Sequence, residues 1–383
     1  MLKNIHRPAA FISIMFVPAT FNGALALLAL SLCCWGSWGN SVKFSKLTFP
    51  QFYLIFGISI FFWSTILGFI LGGDYYSDDI EHEDFIRNLK NASLTSVGYA
   101  MASGAIFNVS NSLLAVLIGL VGLSVSFPIC IGIGLIAGTL LSYLAQPGNT
   151  NLPLLCAGLF LALLALVSMS LAHHYNNNKN NNNKNNNNKN NNNKNNNNTE
   201  SMPLVTLTTV VAPTSLSFRK LLFLCVVCGS VMGCFSPLST LAQDANRAGH
   251  LNPFTCIFFF SLSAMITTVP IVWYLHRFPL DGVQCKKRFL YGVASSTSMD
   301  KVWPILGGGC WTLGTLLNFV SGSKVSFAIA YAIGQAAPVA AALWGILYFK
   351  EFRGAPCISF CLMAAMFMFY GGAVALIAMS SQA

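Results

Sequence analysis

Charge is what this chain has least of. Asp, Glu, Lys and Arg supply 8% of its 383 residues and apolar types 55%, with a mean hydropathy of +0.62, whereas a soluble domain carries about 25% charged residues. Too little polar surface remains to keep a chain of this size in water, so composition indicates an integral membrane protein. The parts of common enzymes are missing too. There is no HExxH, no GxSxG and no GxxxxGK[ST] phosphate loop, so neither catalysis nor a cofactor is expected. Cysteine is plentiful, at twelve, but all except Cys285 lie in or beside apolar stretches, which excludes a secreted disulfide framework in polar loops. Cys225 and Cys228 form a CxxC among Leu, Val and Gly with no neighbouring His or charge to lower a thiol pKa, and read as small residues on a helix face. The net charge of +10 does not point to nucleic acid, because the basic residues stand at the ends of apolar stretches and in one low-complexity run.

What is present is a series of long apolar stretches. A transmembrane helix needs ~20 mostly apolar residues. Ten stretches meet this, near 19–39, 49–72, 97–119, 123–145, 152–174, 219–242, 252–276, 302–321, 324–348 and 356–379. The basic N-terminus followed by an apolar run lacks a clear cleavage site, so residues 1–18 are expected to be an uncleaved tail. Very short turns, such as 122–124 and 146–151, make neighbouring spans antiparallel hairpins. Residues 74–90 form an acidic excursion. Residues 176–198 hold nineteen Asn and four Lys and no apolar side chain to offset chain entropy, so a disordered linker is expected over 175–218. It divides a first set of five helices (19–174) from a second (219–379), with 380–383 as a tail.

The two sets are related. Residues 122–137, GLSVSFPICIGIGLIA, and 322–337, GSKVSFAIAYAIGQAA, agree at eight of sixteen positions, among them Gly122/Gly322, the Val-Ser-Phe triplet, Gly134/Gly334 and Ala137/Ala337. They fall on the fourth and ninth spans. Five spans between equivalent points is an odd number, so the copies insert with opposite orientation. Such inverted repeats characterise secondary transporters. The expected fold is therefore an all-α membrane bundle of ten helices in a 5+5 inverted repeat.

WGSWGNSVKFSK (35–46), the stretch 104–147 with its FN-x-x-N at Phe107–Asn111, and 319–356 with GQ…AALWG…KEF-x-G resemble the ureide permease family, nearer its microbial relatives. That family belongs to the ten-helix drug/metabolite transporter superfamily. The resemblance covers the chain except the N-terminal tail and the Asn/Lys run. It implies proton-coupled movement of allantoin, uracil and related nitrogen heterocycles. Plant members are described with a phosphate-loop-like stretch in the central loop, which 175–218 lacks.

Candidate substrate contacts are the polar and aromatic residues inside the spans, since an unpaired polar group in lipid is costly. Asn108 and Asn111 share a helix face, and their amides can both donate and accept to a lactam or ureido edge. Phe327, Tyr331, Gln335 and Pro338 form a stripe on the ninth span, where Pro338 can break the helix and free carbonyls near Gln335. Trp311 and Asn318 share a face of the eighth span, as the expected inverted counterpart of the third-span amides. Phe235 and Ser236 lie in the sixth. Trp35 is the better cavity candidate and Trp38 an interfacial anchor. No Asp, Glu, Lys, Arg or His lies deep in any span. The partner is thus a small neutral metabolite, and a proton carrier would have to be Asp244, Asp300 or Glu351 near a helix end, with Lys350 and Arg353 the expected partners of Glu351. The alternative is a superfamily transporter for a sugar or nucleotide sugar. Oligomeric state and membrane are open at this level.

Of the 21 Lys and Arg residues, 15 fall on the odd-numbered connections, which places the central linker in the cytosol. Two sequons test this, Asn91-Ala92-Ser93 and Asn197-Asn198-Thr199, which lie on opposite faces. Expression in glycosylating cells followed by glycosidase treatment should show no glycan at Asn197. Glycan there and none at Asn91 reverses the orientation.

Overall fold

The computed structural model describes residues 16–73, 84–121, 123–146, 150–191, 218–278 and 289–380. Regular structure among them is helical throughout, with a helix at each of the ten apolar stretches. In chain order these are α1 (Phe21–Ser37, continued by Asn40–Phe44), α2 (Phe49–Leu71), α3 (Leu94–Val121), α4 (Leu123–Ala145) and α5 (Leu152–Asn191). Then follow α6 (Phe218–Gly233 and Phe235–Ala242), α7 (Pro253–Arg277), α8 (Ser298–Val325), α9 (Phe327–Gly334, Ala337–Leu343 and the π turn Trp344–Tyr348) and α10 (Cys357–Ser380). Among the described residues eight helices are long and apolar enough to cross a membrane, α4 and α8 being the other two of the ten.

Local chemistry sets the ends. Thr48 and Gln51 form a capping box before α2, with Pro50 in its first turn, and Asn252 caps α7 by accepting from the Thr255 amide at 2.9 Å. Two short helices absent from the hydropathy pattern, Phe85–Asn91 and Phe289–Ser295, cover connections. Asp84 caps the first of these through the Arg87 amide at 2.7 Å; the rest of the acidic excursion, 74–83, lies outside the described residues. The Asn/Lys run differs from expectation in its first part. α5 continues to Asn191, because adding a residue to an existing helix avoids the cost of nucleation, and Asn176 Nδ2 ties it to Glu351 O at 3.0 Å. Residues 192–217 lie outside the described residues.

The shared Gly-x-x-Val-Ser-Phe has a mechanical role in its second copy. The turn between α8 and α9 is not at 322–323, as the apolar boundaries suggested, but at the single residue Ser326. Ser326 sits at φ 101°, a region that costs a non-glycine residue about 1–3 kcal/mol, and its hydroxyl accepts from the Ile329 amide at 3.4 Å. Phe327 then folds back so closely on Gly322 that a Cβ there would collide with its ring. Of the first copy, α3 ends at Val121 and α4 begins at Leu123.

Several helix contacts come in pairs whose members lie five helices apart. α1 packs on α8 and α9, and α6 on α3 and α4; α2 packs on α8, and α7 on α3; α2 packs on α7, α4 on α9 and α5 on α10. Individual bonds match at this level. Asn108 Nδ2 donates to Ala264 O at 2.9 Å, and Thr312 Oγ1 to Ile60 O at 3.4 Å. Ser31 Oγ donates to Gly314 O at 2.7 Å, and Cys228 Sγ to Ser110 O at 3.4 Å. Gly57 meets Thr268, and Ser64 bonds Ser261. The residues in these paired bonds stand 204 apart in α2/α7 and α3/α8 and 197 apart in α1/α6.

Glycines let the backbones approach this closely. A Cβ on Gly36 would strike Ala337 O and Ala340, and one on Gly233 would strike Ala137; Ala137 and Ala337 are matched residues of the repeat. Gly36→Val and Gly233→Val should each destabilise the bundle by about 1–3 kcal/mol. Thermal unfolding in detergent is the measurement, with Gly39→Ala as control, since no atom lies within 4 Å of a Cβ at Gly39. A melting temperature equal to wild type in both valine variants would contradict this packing.

Candidate functional site

At the centre of the bundle stands an aromatic cluster, with rings contributed by α3, α6, α7, α8 and α9. Phe107 and Trp311 are stacked, with centroids 4.7 Å apart and planes at 29°. Phe260 lies 5.5 Å from Phe107 and 5.8 Å from Trp311. Phe235 meets Phe107 edge-on at 5.5 Å and Tyr331 edge-on at 5.5 Å. All five are buried. Edge-to-face and offset stacks at these distances are the favoured aromatic geometries.

Helix breaks border the cluster. α6 is interrupted at Cys234, directly before Phe235. α9 is interrupted at Gln335 and Ala336, where Pro338 has no N–H to offer Gly334 O and the amides of Gln335 and Ala336 turn to Tyr331 O and Ile333 O at 3.0 Å each. α1 is interrupted at Trp38 and Gly39, and Trp38 is the position 197 residues before Phe235. The Gln335 side chain is half-buried and has no hydrogen-bond partner among the described residues. Tyr331 Oη donates to Gly134 O at 3.1 Å, and its ring lies where a Cβ on Gly138 would be. α4 carries Leu135 and Gly138 opposite Gln335 and Pro338 in the repeat, and stays continuous.

The remaining candidates divide into two groups. Trp35, Ser236 and Asn318 border the cluster: Trp35 Nε1 donates to Thr315 Oγ1 at 3.0 Å, Ser236 Oγ shares a 2.7 Å bond with Ser142 Oγ, and Asn318 Nδ2 donates to Ala330 O at 2.7 Å. Asn108 and Asn111, about 100° and 40° around α3 from Phe107, bond toward α2 and α7. Asn108 accepts from Tyr53 Oη at 2.8 Å and donates to Ala264 O and to Thr267 and Thr268 Oγ1 at 2.9–3.1 Å. Asn111 Nδ2 donates to Tyr53 Oη at 3.2 Å. Asn318 stands 210 and 207 residues after Asn108 and Asn111, whereas the paired bonds of α3 and α8 stand 204 apart, at Asn108 and Thr312.

The three acids occupy helix ends. Asp244 pairs with Arg247 Nε at 3.2 Å within its own turn. Asp300 accepts from Thr297 Oγ1 at 2.6 Å and Lys46 N at 3.1 Å, and these bonds hold its carboxyl below the usual range. Its capping contribution is thus present at neutral pH and fades as pH falls through that lowered pKa. Glu351 does not pair with Lys350 or Arg353. Its partner is Lys43, at 2.7 Å, which also lies 3.9 Å over the Phe349 ring, so the pair joins the α1 end to the turn after α9. Among the described residues no group of three or more His, Cys, Asp or Glu could hold a metal ion.

Sequence reasoning passed over Phe107, which stands inside FN-x-x-N but points about 100° from Asn108 around the helix. It also missed Phe260, one of a run of three phenylalanines, and Tyr53. Only the crossing of helices separates these from the chain's other aromatic residues.

The sequence pattern of the ureide permease family matches residues 52–220 and 204–381. Ureide permease 4 of Arabidopsis thaliana is 25% identical over 405 residues, covering 96% of this chain and 99% of the relative. Ureide permease 2 of the same plant is 24% identical over 399 residues, with the same coverage. Probable ureide permease A3 of Vigna unguiculata is 23% identical over 369 residues, covering 87% and 96%.

Asn108→Ala would take from the buried Tyr53 hydroxyl its 2.8 Å amide acceptor, a loss of about 1–3 kcal/mol, while Ala264 O keeps the Thr267 and Thr268 hydroxyls. The expected outcome is a lowered melting temperature in detergent, with Asn111→Ala affected less. A variant that melts as wild type but transports poorly would show instead that the amide meets substrate.

Proposed function

Because the chain belongs to the ureide permease family, we propose that this multi-pass membrane protein is a secondary-active transporter of a small neutral ureide-type metabolite, working by alternating access of two inverted five-helix halves. The halves are α1–α5 and α6–α10. Support for the inversion comes from the matched bonds: a bond from Asn108 to Ala264 O and one from Thr312 to Ile60 O exchange donor and acceptor helices when the halves are swapped. α1 runs parallel to α9 and α6 parallel to α4, as the successive contacts Trp35–Gly334, Gly36–Ala337 and Ser37–Trp344 require for the first pair.

The observation that carries the substrate assignment is the charge-free central cluster, bordered by broken α6 and α9 and by the free amide of Gln335. Rings bind the faces of a nitrogen heterocycle, and an amide binds its lactam or ureido edge. A nucleotide sugar would demand a cation there, but Lys43, Lys46 and Lys324 stand at helix ends and Lys43 is paired.

The ends of the bundle differ. Lys43 and Glu351 bridge the halves at the linker end, while their repeat counterparts at the other end, Thr240 and Asn151, are uncharged. Asp300 reaches the first half through the Lys46 amide, but of the three acids Glu351 is the one whose protonation would break an ion pair between halves, which makes it the carrier we propose for proton coupling.

Uptake of uracil, allantoin, xanthine and a neutral sugar, measured at two external pH values in cells expressing the chain, tests these proposals. Expected are uptake of the heterocycles but not the sugar, more uptake at lower external pH, loss of that pH response in Glu351→Gln, and roughly tenfold weaker uptake in Gln335→Ala at equal surface expression. Sugar uptake alone would overturn the substrate class. Equal uptake at both pH values would remove proton coupling.

A further inference from the structure

The Phe107–Trp311 stack has a property that no other ring pair in the cluster shares. Phe107 and Trp311 are 204 residues apart, the same separation that relates Asn108 to Thr312 and Ile60 to Ala264, so they are one position of the repeat, present twice. Each half thus offers one ring from the same place on its third helix, and the two rings meet face to face at 4.7 Å. Any rocking of one half against the other separates or slides these two faces.

The Trp311 ring is held differently from Trp35, Trp63 and Trp344. It is 4% exposed, and a buried indole N–H usually finds a partner. Trp35, Trp63 and Trp344 donate to Thr315 Oγ1, Ile305 O and Ser37 Oγ. The Trp311 N–H has no hydrogen-bond partner among the described residues. Among the described residues the indole is held by ring contacts with Phe107 and Phe260, and ring contacts are what a flat ligand can replace without breaking a hydrogen bond. Phe260, against both rings, backs the stack from α7.

Resting on the transporter reading above, we propose that Phe107 and Trp311 are the specificity-determining pair, and that they select flat, unsaturated nitrogen heterocycles over saturated rings bearing the same polar edge. A flat ring entering between them exchanges one ring–ring stack for two, one with each half. A puckered ring keeps its edge contacts but cannot lie against both faces.

Uracil and 5,6-dihydrouracil present the same lactam and imide groups and differ in the C5–C6 bond, so they isolate the face contact. In cells expressing the full chain, uracil uptake should exceed dihydrouracil uptake on the order of tenfold in kcat/KM. Trp311→Leu and Phe107→Leu should bring the ratio toward one, because uracil loses more than dihydrouracil does. Trp311→Phe should keep the preference. The ratio is independent of expression level, and the wild-type comparison needs no variant, so poor folding of a leucine variant leaves the test intact. Equal uptake of the two by wild type, or a ratio unchanged in both leucine variants, overturns the proposal while leaving the transporter standing. Uptake of allantoin but neither pyrimidine does the same. Uptake of none of these compounds overturns the transporter reading, and this proposal with it.

Discussion

A polar group inside this bundle has no water to fall back on, and almost no charged side chain is available to pair with it. That constraint governs the rest. Interior hydroxyls, thiols and amides therefore bond to backbone carbonyls of neighbouring helices: Ser31 to Gly314, Ser103 to Phe235, Asn108 to Ala264, Ser263 to Met101 and Asn318 to Ala330. Each bond fixes the register of two helices, because a slip of one residue moves the carbonyl by ~1.5 Å along the axis and ~100° around it. Register fixed at several crossings is what brings rings from five helices to one place.

Close backbone approach is the companion requirement. A carbonyl on one helix is within reach of a side chain on the next only where glycine or alanine separates them, and Gly36, Gly104, Gly233 and Gly308 each lie where a Cβ would strike a neighbouring helix. The same small residues make room for large ones. Gly138 is the seat of the Tyr331 ring and Gly322 that of Phe327, so the bulky and the absent side chain are two halves of one contact.

Against this matched framework the differences between copies acquire meaning. α4 is continuous, while α9 breaks at Gln335 and Ala336 and ends in a π turn. Pro338 in place of Gly138 accounts for the break, and Gln335 in place of Leu135 sets an amide beside it. The turn after α9 is also distinctive, with Lys350 at φ 52° and Gly354 at φ 77° enclosing the Glu351 that reaches Lys43. The amide and the break thus lie on α9, and α4 supplies the surface on which Tyr331 lies.

Much of this was legible in the chain by itself. Helix positions followed from apolar length, because a segment that must satisfy its own backbone in lipid has few alternatives to a helix. Residues 122–127 and 322–327 share Gly-x-x-Val-Ser-Phe, and in the second stretch the corner at Ser326 is a single residue. The paired bonds were not legible as letters, since a hydroxyl, a thiol or an amide can each reach a carbonyl: Ser31 and Cys228 do so at one pair of crossings, and Asn108 and Thr312 at another. Tertiary structure alone decided that Glu351 meets Lys43 instead of its neighbours in sequence, that the Asn108 amide is occupied by other helices, and that Phe107 and Trp311 face one another. The physical reason is that composition and periodicity determine which segments become helices, whereas which side chains meet depends on crossing positions set by glycines and bonds hundreds of residues apart.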